Sequence, residues 1–276
     1  MSDQTIIAST DDDLIAAAAA ERDRTVLDMV REALELDRVM LAYQPVVGSV
    51  TGQVAFHEGL IRLRDATGRI IPAGQFIEAV ETNELGREID CAALRLGLAA
   101  LAGKPDLRLS INMSARSIGY ARWTQTLTHG LAHAPSVGER LILEITERSA
   151  MQIPELVKAF MADLQDQGIT FALDDFGAGQ TSFRHLKEFY FDILKIDGNF
   201  VRNCDTDPDN QCIVNALITV GQQFDMFIVA EAVETAAEAQ FLVAAGADCL
   251  QGYYYGAPQV NPAWLKGRST GMQEAG

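Results

Sequence analysis

What the sequence is short of narrows its chemistry first. Positive charge is scarce: 22 lysines and arginines stand against 38 acids, a net charge of −16. That balance excludes a protein that grips a DNA or RNA polymer through its phosphates. It leaves room for a small phosphorylated ligand if metal ions supply positive charge locally. Only four cysteines occur, Cys91, Cys204, Cys212 and Cys249, with no CxxC among them. They are expected as small buried hydrophobes in a reducing compartment, without a disulfide framework or zinc cluster. Histidine is equally scarce, at four, and no pair is singled out as a ligand motif, so any metal is expected on oxygen rather than imidazole. No apolar run is long enough to span a bilayer. "LIAAAAA", Leu14 to Ala20, is far too short and follows acids, and no secretory signal is visible. The expectation is a soluble, cytoplasmic chain with no membrane partner.

Against those absences, 48% of the 276 residues are hydrophobic and 22% charged, enough for a large core in a single α/β barrel. Residues 1–20 are expected as a flexible tail. Val26, Leu27, Val30, Ala33 and Leu34 recur at helical spacing and predict an N-terminal helix within 21–38. Packing of that helix on the domain is favoured over pairing with a regulatory protein partner. The barrel is placed at 39–265, and 266–276 is expected to be a loose tail. "VMLAYQPVV" and "QVAFHEGLIRL" flank "GSVTG", a hairpin signature. Beyond it, the short apolar segments "LRLSINM", "RLILEI", "ITFALDD", "FDILKID", "MFIVAE" and "ADCLQGY" read as strands. Helical stretches near Cys91–Ala102, Glu155–Gln167, Asp209–Phe224 and Ala236–Ala244 lie between them. About eight strands alternating with helices predict a parallel sheet closed into a barrel, in which the opening hairpin makes one strand antiparallel.

The strands share one further property: each ends in a polar residue. Glu58, Asn112, Glu144, the adjacent Asp174 and Asp175, Lys195 with Asp197, Glu231 and Gln251 all stand at or near a strand terminus. In a barrel those ends converge on one face. Alternation turns Ser110 and Asn112 into the mouth and Leu109 and Ile111 towards the helices; by the same rule His57 faces away from the mouth. Five carboxylates and an amide oxygen make a hard, oxygen-rich nest suited to Mg²⁺ or Mn²⁺. Two neighbouring aspartates can serve two ions, and a metal pair suits phosphoester hydrolysis. Lys195 has a simpler reading as a counter-ion for the acids.

These residues lie in blocks that resemble the EAL-domain phosphodiesterases, which hydrolyse cyclic di-GMP. The blocks are "YQPVV", "EGLIR", "SINMSAR", "LEITE", "DDFGAG", "LKID", "VAEAVE" and "QGYYYGAP", in that order from about Val39 to Pro258. The resemblance implies a modified (β/α)8 TIM-like barrel with one antiparallel strand and a site for two Mg²⁺ or Mn²⁺ ions. It implies one ion on Glu58, Asn112, Glu144 and Asp174, and a second on Asp174, Asp175 and Glu231. Lys195 would stand by the attacking water or scissile phosphate, and Glu231 would assist water deprotonation. Arg62 would contact a substrate phosphate, with Gln44, Leu60, Asp197 and Gln251 near the nucleotide. Glu147 would brace the loop after Asp175, which in this family lies near a dimer interface, so a homodimer is expected. The product would be linear pGpG.

Several positions depart from the family pattern. Gly59 stands for the usual alanine, Gln180-Thr181-Ser182-Phe183 for Tyr-Ser-Ser-Leu, Ala232 and Glu84 for glycines, and Tyr190 for a proline. None removes a metal ligand. The loop substitutions keep open a catalytically silent cyclic di-GMP receptor or interaction module. An unrelated metal-dependent barrel enzyme, indifferent to cyclic di-GMP, is the third alternative.

Overall fold

The computed structural model describes residues 21–177 and 186–268. The tail expected at 1–20, residues 269–276 of the tail expected at 266–276, and the substituted loop Gln180–Phe183 lie outside them, while 266–268 close a 3-10 turn, Ala263–Arg268. Two long strands, β1 (Val39–Gly48) and β2 (Val54–Arg64), form the expected hairpin. A three-residue strand, β3 (Ile70–Pro72), pairs with the end of β2 as an appendage that the sequence does not announce. The remaining strands are β4 (Leu109–Asn112), β5 (Leu141–Thr146), β6 (Thr170–Phe176), β7 (Ile193–Ile196), β8 (Phe227–Ala230) and β9 (Cys249–Gln251). Parallel pairing runs from β2 through β4 to β9, and β9 then meets β1 antiparallel. The sheet therefore closes on itself, with β1 antiparallel to both neighbours. The fold is the expected α/β barrel with one antiparallel strand.

Among the described residues, α1 spans 21–35, followed by α2 (Ile77–Val80), α3 (Glu84–Gly103), α4 (Ala121–His133), α5 (Glu147–Gln152) and α6 (Pro154–Gln165). Later helices cover Gly198–Val201, Pro208–Gln223 and Ala236–Ala245. Local chemistry sets their ends. Asn83 caps α3 by accepting the Leu85 N–H, and Thr235 with Glu238 forms a capping box on the last helix, which stops at the left-handed Gly246. Helix α3 begins seven residues before the expected Cys91, because that cap outweighs the polar run "ELGREID" that hides the apolar stripe. The short α5 and the whole of α4 escape sequence detection. The described helices include none long and apolar enough to cross a membrane.

The core has two compartments. A large outer one fills the space between strands and helices, and α1 joins it through buried Val30 and Ala33 with Val26, Leu27, Met29 and Leu34 against it. Helix α1 packs on the domain. A small inner cluster of Val46, Phe56, Ile142, Ala172, Ile193, Val229 and Cys249 fills the barrel interior. Leu109 and Ile111 face outward onto α3 at Gly97, where an added Cβ would lie 2.8 Å from the Ile111 side chain. Outside the hairpin, Trp264 packs edge-on against Tyr43 and His57 with ring centroids 4.9 and 5.6 Å away, so His57 faces away from the mouth. One expectation fails: Cys212 is exposed, on the solvent side of the helix Pro208–Gln223, while the other three free cysteines are buried.

Candidate metal centre at the barrel mouth

Lys195 is the middle of the site. Its alternation along β7 turns it inward, where it is completely buried. Its Nζ lies 2.7 Å from Glu231, 2.8 Å from Glu144, 3.0 Å from Asp174 and 3.5 Å from Glu58. Burial works against the ammonium charge, but Asp174, Glu144, Glu231 and Glu58 outweigh it and hold the lysine protonated well above its usual range.

Neutral amides complete the ring. Gln251 Nε2 donates to Glu58 Oε2 at 2.6 Å and to Gln44 Oε1 at 3.2 Å, and Asn112 Nδ2 donates to Glu58 Oε1 at 2.7 Å. Gln44 in turn donates to the Gly256 carbonyl. Burial opposes ionisation of Glu58, yet Lys195 and the two amide donors keep its carboxyl below the usual range. Glu144 has fewer donors: burial and the Glu58 charge push it up to about 8. Glu231 is raised well above its usual value by burial, against the opposing pull of Lys195.

The backbone explains how two adjacent aspartates reach one site. In a regular strand Asp174 and Asp175 would point to opposite faces. Here the β6–β7 register shifts between Leu173 and Phe176, leaving both aspartates opposite the single residue Lys195, a bulge. Asp175 takes a left-handed φ of 54°, and its carboxylate turns back beside that of Asp174. Carboxylate oxygens of Asp174, Asp175 and Glu231 all lie within 4.8 Å of one another. Lost hydration, then the charges of Asp174 and Asp197, push Asp175 up to about 6. Glu231 follows β8 and is itself followed by Ala232, left-handed at φ 52°.

The donor set fits divalent cations. Five carboxylates against one ammonium leave four negative charges, which two divalent ions would balance. Burial first, and neighbouring acids after it, raise Glu144, Asp175 and Glu231, and a divalent cation would oppose both effects. Among the described residues, buried Glu144 Oε1 and Gln251 Oε1 have no hydrogen-bond donor, and Asp174 Oδ1 touches Lys195 without hydrogen-bond geometry. Oxygen atoms left without donors in a buried, anionic mouth suit Mg²⁺ or Mn²⁺.

The other expected residues fall around this ring. Arg62 is half-buried on β2, and its guanidinium donates to the Ile61 carbonyl at 2.9 Å; Leu60, also half-buried, is two residues before it. Asp197 caps the helix Gly198–Val201 by accepting the Asn199 N–H. Glu147 is buried at the start of α5 and accepts the Gly177 N–H at 3.1 Å, one residue beyond β6. One histidine pair passed over in the sequence does have a ligand spacing. His129 and His133 stand a turn apart on α4 with ring centroids 4.2 Å apart, but no third metal-binding side chain joins them among the described residues. Also passed over is Asp90, a buried acid in the apolar run "IDCAAL" of α3. Its signal was an acid inside an apolar stripe.

The EAL domain family matches residues 27–258. The bifunctional diguanylate cyclase/cyclic di-GMP phosphodiesterase MucR of Pseudomonas aeruginosa is 32% identical over 248 residues, covering 87% of this chain and 36% of that protein. The cyclic di-GMP phosphodiesterase PdeF of Escherichia coli is 31% identical over 238 residues, covering 85% and 32%. The chain thus spans about a third of the length of these relatives. Among solved structures, the PaMucR phosphodiesterase in complex with c-di-GMP aligns with a TM-score of 0.75 at 31% identity, over 85% of this chain and 97% of that one. The FimX EAL domain of Pseudomonas aeruginosa bound to c-di-GMP aligns with a TM-score of 0.78 at 27% identity, over 85% and 96%. A match across most of the chain, on a closed barrel whose acids meet at the mouth, means that this chain belongs to the EAL domain family.

Proposed function

We propose that the chain hydrolyses cyclic di-GMP to linear pGpG with two Mg²⁺ or Mn²⁺ ions at the barrel mouth. The observation that carries this reading is the ring of Glu58, Asn112, Glu144, Asp174 and Glu231 gathered around Lys195, with Asp175 turned in beside Asp174. Likeness to relatives named as cyclic di-GMP phosphodiesterases supports the choice of substrate. Glu58, Asn112, Glu144 and Asp174 would hold one ion, and Asp174, Asp175 and Glu231 the other. Bound there, the cations would supply Lewis acidity, acidifying water and neutralising charge on the phosphate.

The chain's own groups would do the rest. With cations bound beside it, an ionised Glu231 would take the proton of the attacking water as the water oxygen bonds to phosphorus and the P–O3′ bond breaks, and the released O3′ would take up a proton from solvent. The Lys195 ammonium would face the negative charge growing on the phosphoryl oxygens. Arg62 would grip the second phosphate with its planar fork, while Gln44, Leu60, Asp197 and Gln251 flank the nucleotide. Glu147 would keep the turn at Gly177 tied to α5, fixing Asp174 and Asp175.

The test is incubation with cyclic di-GMP and Mg²⁺ or Mn²⁺, resolved by chromatography beside Glu58→Ala. The expected result is pGpG that the variant fails to make. Ca²⁺, larger and less strict in geometry, is expected to bind and support little turnover. Saturable binding of intact nucleotide with no product would replace the enzyme by a receptor. Indifference to cyclic di-GMP would overturn both readings.

A further inference from the structure

We propose that Asp90 is a positioning residue for Asn112: it fastens the turn leaving β4 so that the Asn112 amide is held facing the mouth. The inference rests on the metal-centre reading above. Asp90 lies inside α3 between Ile89 and Cys91, buried among apolar neighbours. The charged side chain that acts on it is another acid, Glu81. A buried carboxylate without a cation is costly to keep, and an apolar side chain would fill the place better. Packing therefore does not account for it; its hydrogen bonds do.

Asp90 Oδ2 accepts two of them, from the Ser114 N–H at 3.0 Å and from the Ser117 hydroxyl at 2.6 Å. Ser114 is two residues beyond Asn112. The same turn is held from its other side by Ser149 of α5, whose Oγ accepts the Ala115 N–H at 2.8 Å. Met113 N–H continues the ladder to the Glu144 carbonyl. The turn 113–117 is thus tied to α3 by Asp90 and to α5 by Ser149. Helix α5 also carries Glu147, which holds Gly177 after β6. Hydrogen bonds therefore tie together the ends of β4, β5 and β6, which present Asn112, Glu144 and the two aspartates.

Asn112 is the member of the set that needs such support most. Its Nδ2 is committed to Glu58, so its Oδ1 is the atom left to meet a cation. A neutral amide attracts a cation less than a carboxylate does, and its contribution depends on being held in place beforehand.

The test is Mn²⁺ binding to the intact chain without nucleotide, with free Mn²⁺ read by electron paramagnetic resonance. Asp90→Ala is expected to weaken Mn²⁺ binding about 10-fold, and Ser117→Ala, which removes one donor, to weaken it less. Asp90→Asn, whose carbonyl can accept the same two bonds, is expected to keep the wild-type affinity. Turnover of cyclic di-GMP by Asp90→Ala should recover at high Mn²⁺, placing the loss in metal saturation and not in kcat. Unchanged Mn²⁺ affinity in folded Asp90→Ala, or in Ser117→Ala should Asp90→Ala not fold, overturns the proposal. A loss in Asp90→Asn as large as in Asp90→Ala also overturns it, since the charge and not the fastening would then matter. A wild-type chain that binds no Mn²⁺ overturns the metal-centre reading itself, and this inference with it.

Discussion

Two layers line the inside of the barrel, and almost every strand contributes to both. The floor is Val46, Phe56, Ile142, Ala172, Ile193, Val229 and Cys249. Two residues away, on the mouth side, the same strands present Gln44, Glu58, Glu144, Asp174, Lys195, Glu231 and Gln251. On β1 the order is reversed, because that strand runs the other way. The pleat places positions two apart on one face, so a shift of one pleat repeat separates a dry apolar plug from the charged ring. Strand β4 has Ser110 at floor level and Asn112 above it; among the described residues the buried Ser110 hydroxyl has no hydrogen-bond partner. The floor stabilises the fold and excludes water beneath the mouth, which strengthens each electrostatic interaction above it. The mouth holds more negative charge than the protein can balance.

The sharpest break in that comparison is Lys195→Met, which keeps the stem and removes the ammonium that touches four carboxylates. Metal-free protein is expected to lose about 3–5 kcal/mol, about 2–4 °C of Tm per kcal/mol, with a smaller loss when Mn²⁺ supplies charge. Equal losses in chelator and in Mn²⁺, read by thermal unfolding, would refute the charge argument. Ile142→Ala probes the floor: a cavity there should cost about 3 kcal/mol while Mn²⁺ affinity stays at the wild-type value. Urea unfolding and metal titration on the same variant check both halves.

A buried acid outside the mouth provides the next contrast. Burial pushes Asp90 up to about 7, whereas an unfolded aspartate titrates near pH 4. Between those values the folded chain holds a proton that the unfolded chain releases. This contribution to stability is greatest below about pH 4 and falls as pH rises to about 7, by at most about 1.4 kcal/mol per pH unit. Asp90→Asn should lack that slope in urea unfolding across the same pH range, and parallel wild-type and variant curves would contradict it. The smallest effect is expected at Ala232. Its left-handed backbone costs about 1 kcal/mol in a residue with a Cβ, and its methyl would lie 2.6 Å from any Cβ placed on Gly198. Ala232→Gly should raise the unfolding free energy by about that amount; a lower midpoint would show that the methyl's packing outweighs the strain.

The elements legible in the sequence were those with strong local patterns. The hairpin strands and the helices starting at Pro154, Pro208 and Ala236 begin within about two residues of expectation, because caps, prolines and period-two alternation are local signals. Helix α4 was missed because its apolar face is narrow, with only Trp123 and Leu127 fully buried. The acids at the strand ends were readable one by one, and their convergence followed from expecting a barrel. The ties from Asp90 to Ser114 and Ser117 were not readable, since they join residues 24 and 27 positions apart.

Sequence by itself determined which residues form the strands and which strand ends carry acids, because alternation and turn chemistry act over a few neighbouring residues. Tertiary structure alone decided three things. Closure of β9 onto β1 brought Gln251 against Glu58. The shifted register of β6 against β7, with Asp175 left-handed, put two adjacent carboxylates on one face. Burial of Lys195 set one ammonium among four acids drawn from four other strand ends. Each depends on hydrogen bonds and charges between residues distant in the chain, whose geometry exists only once the barrel has closed.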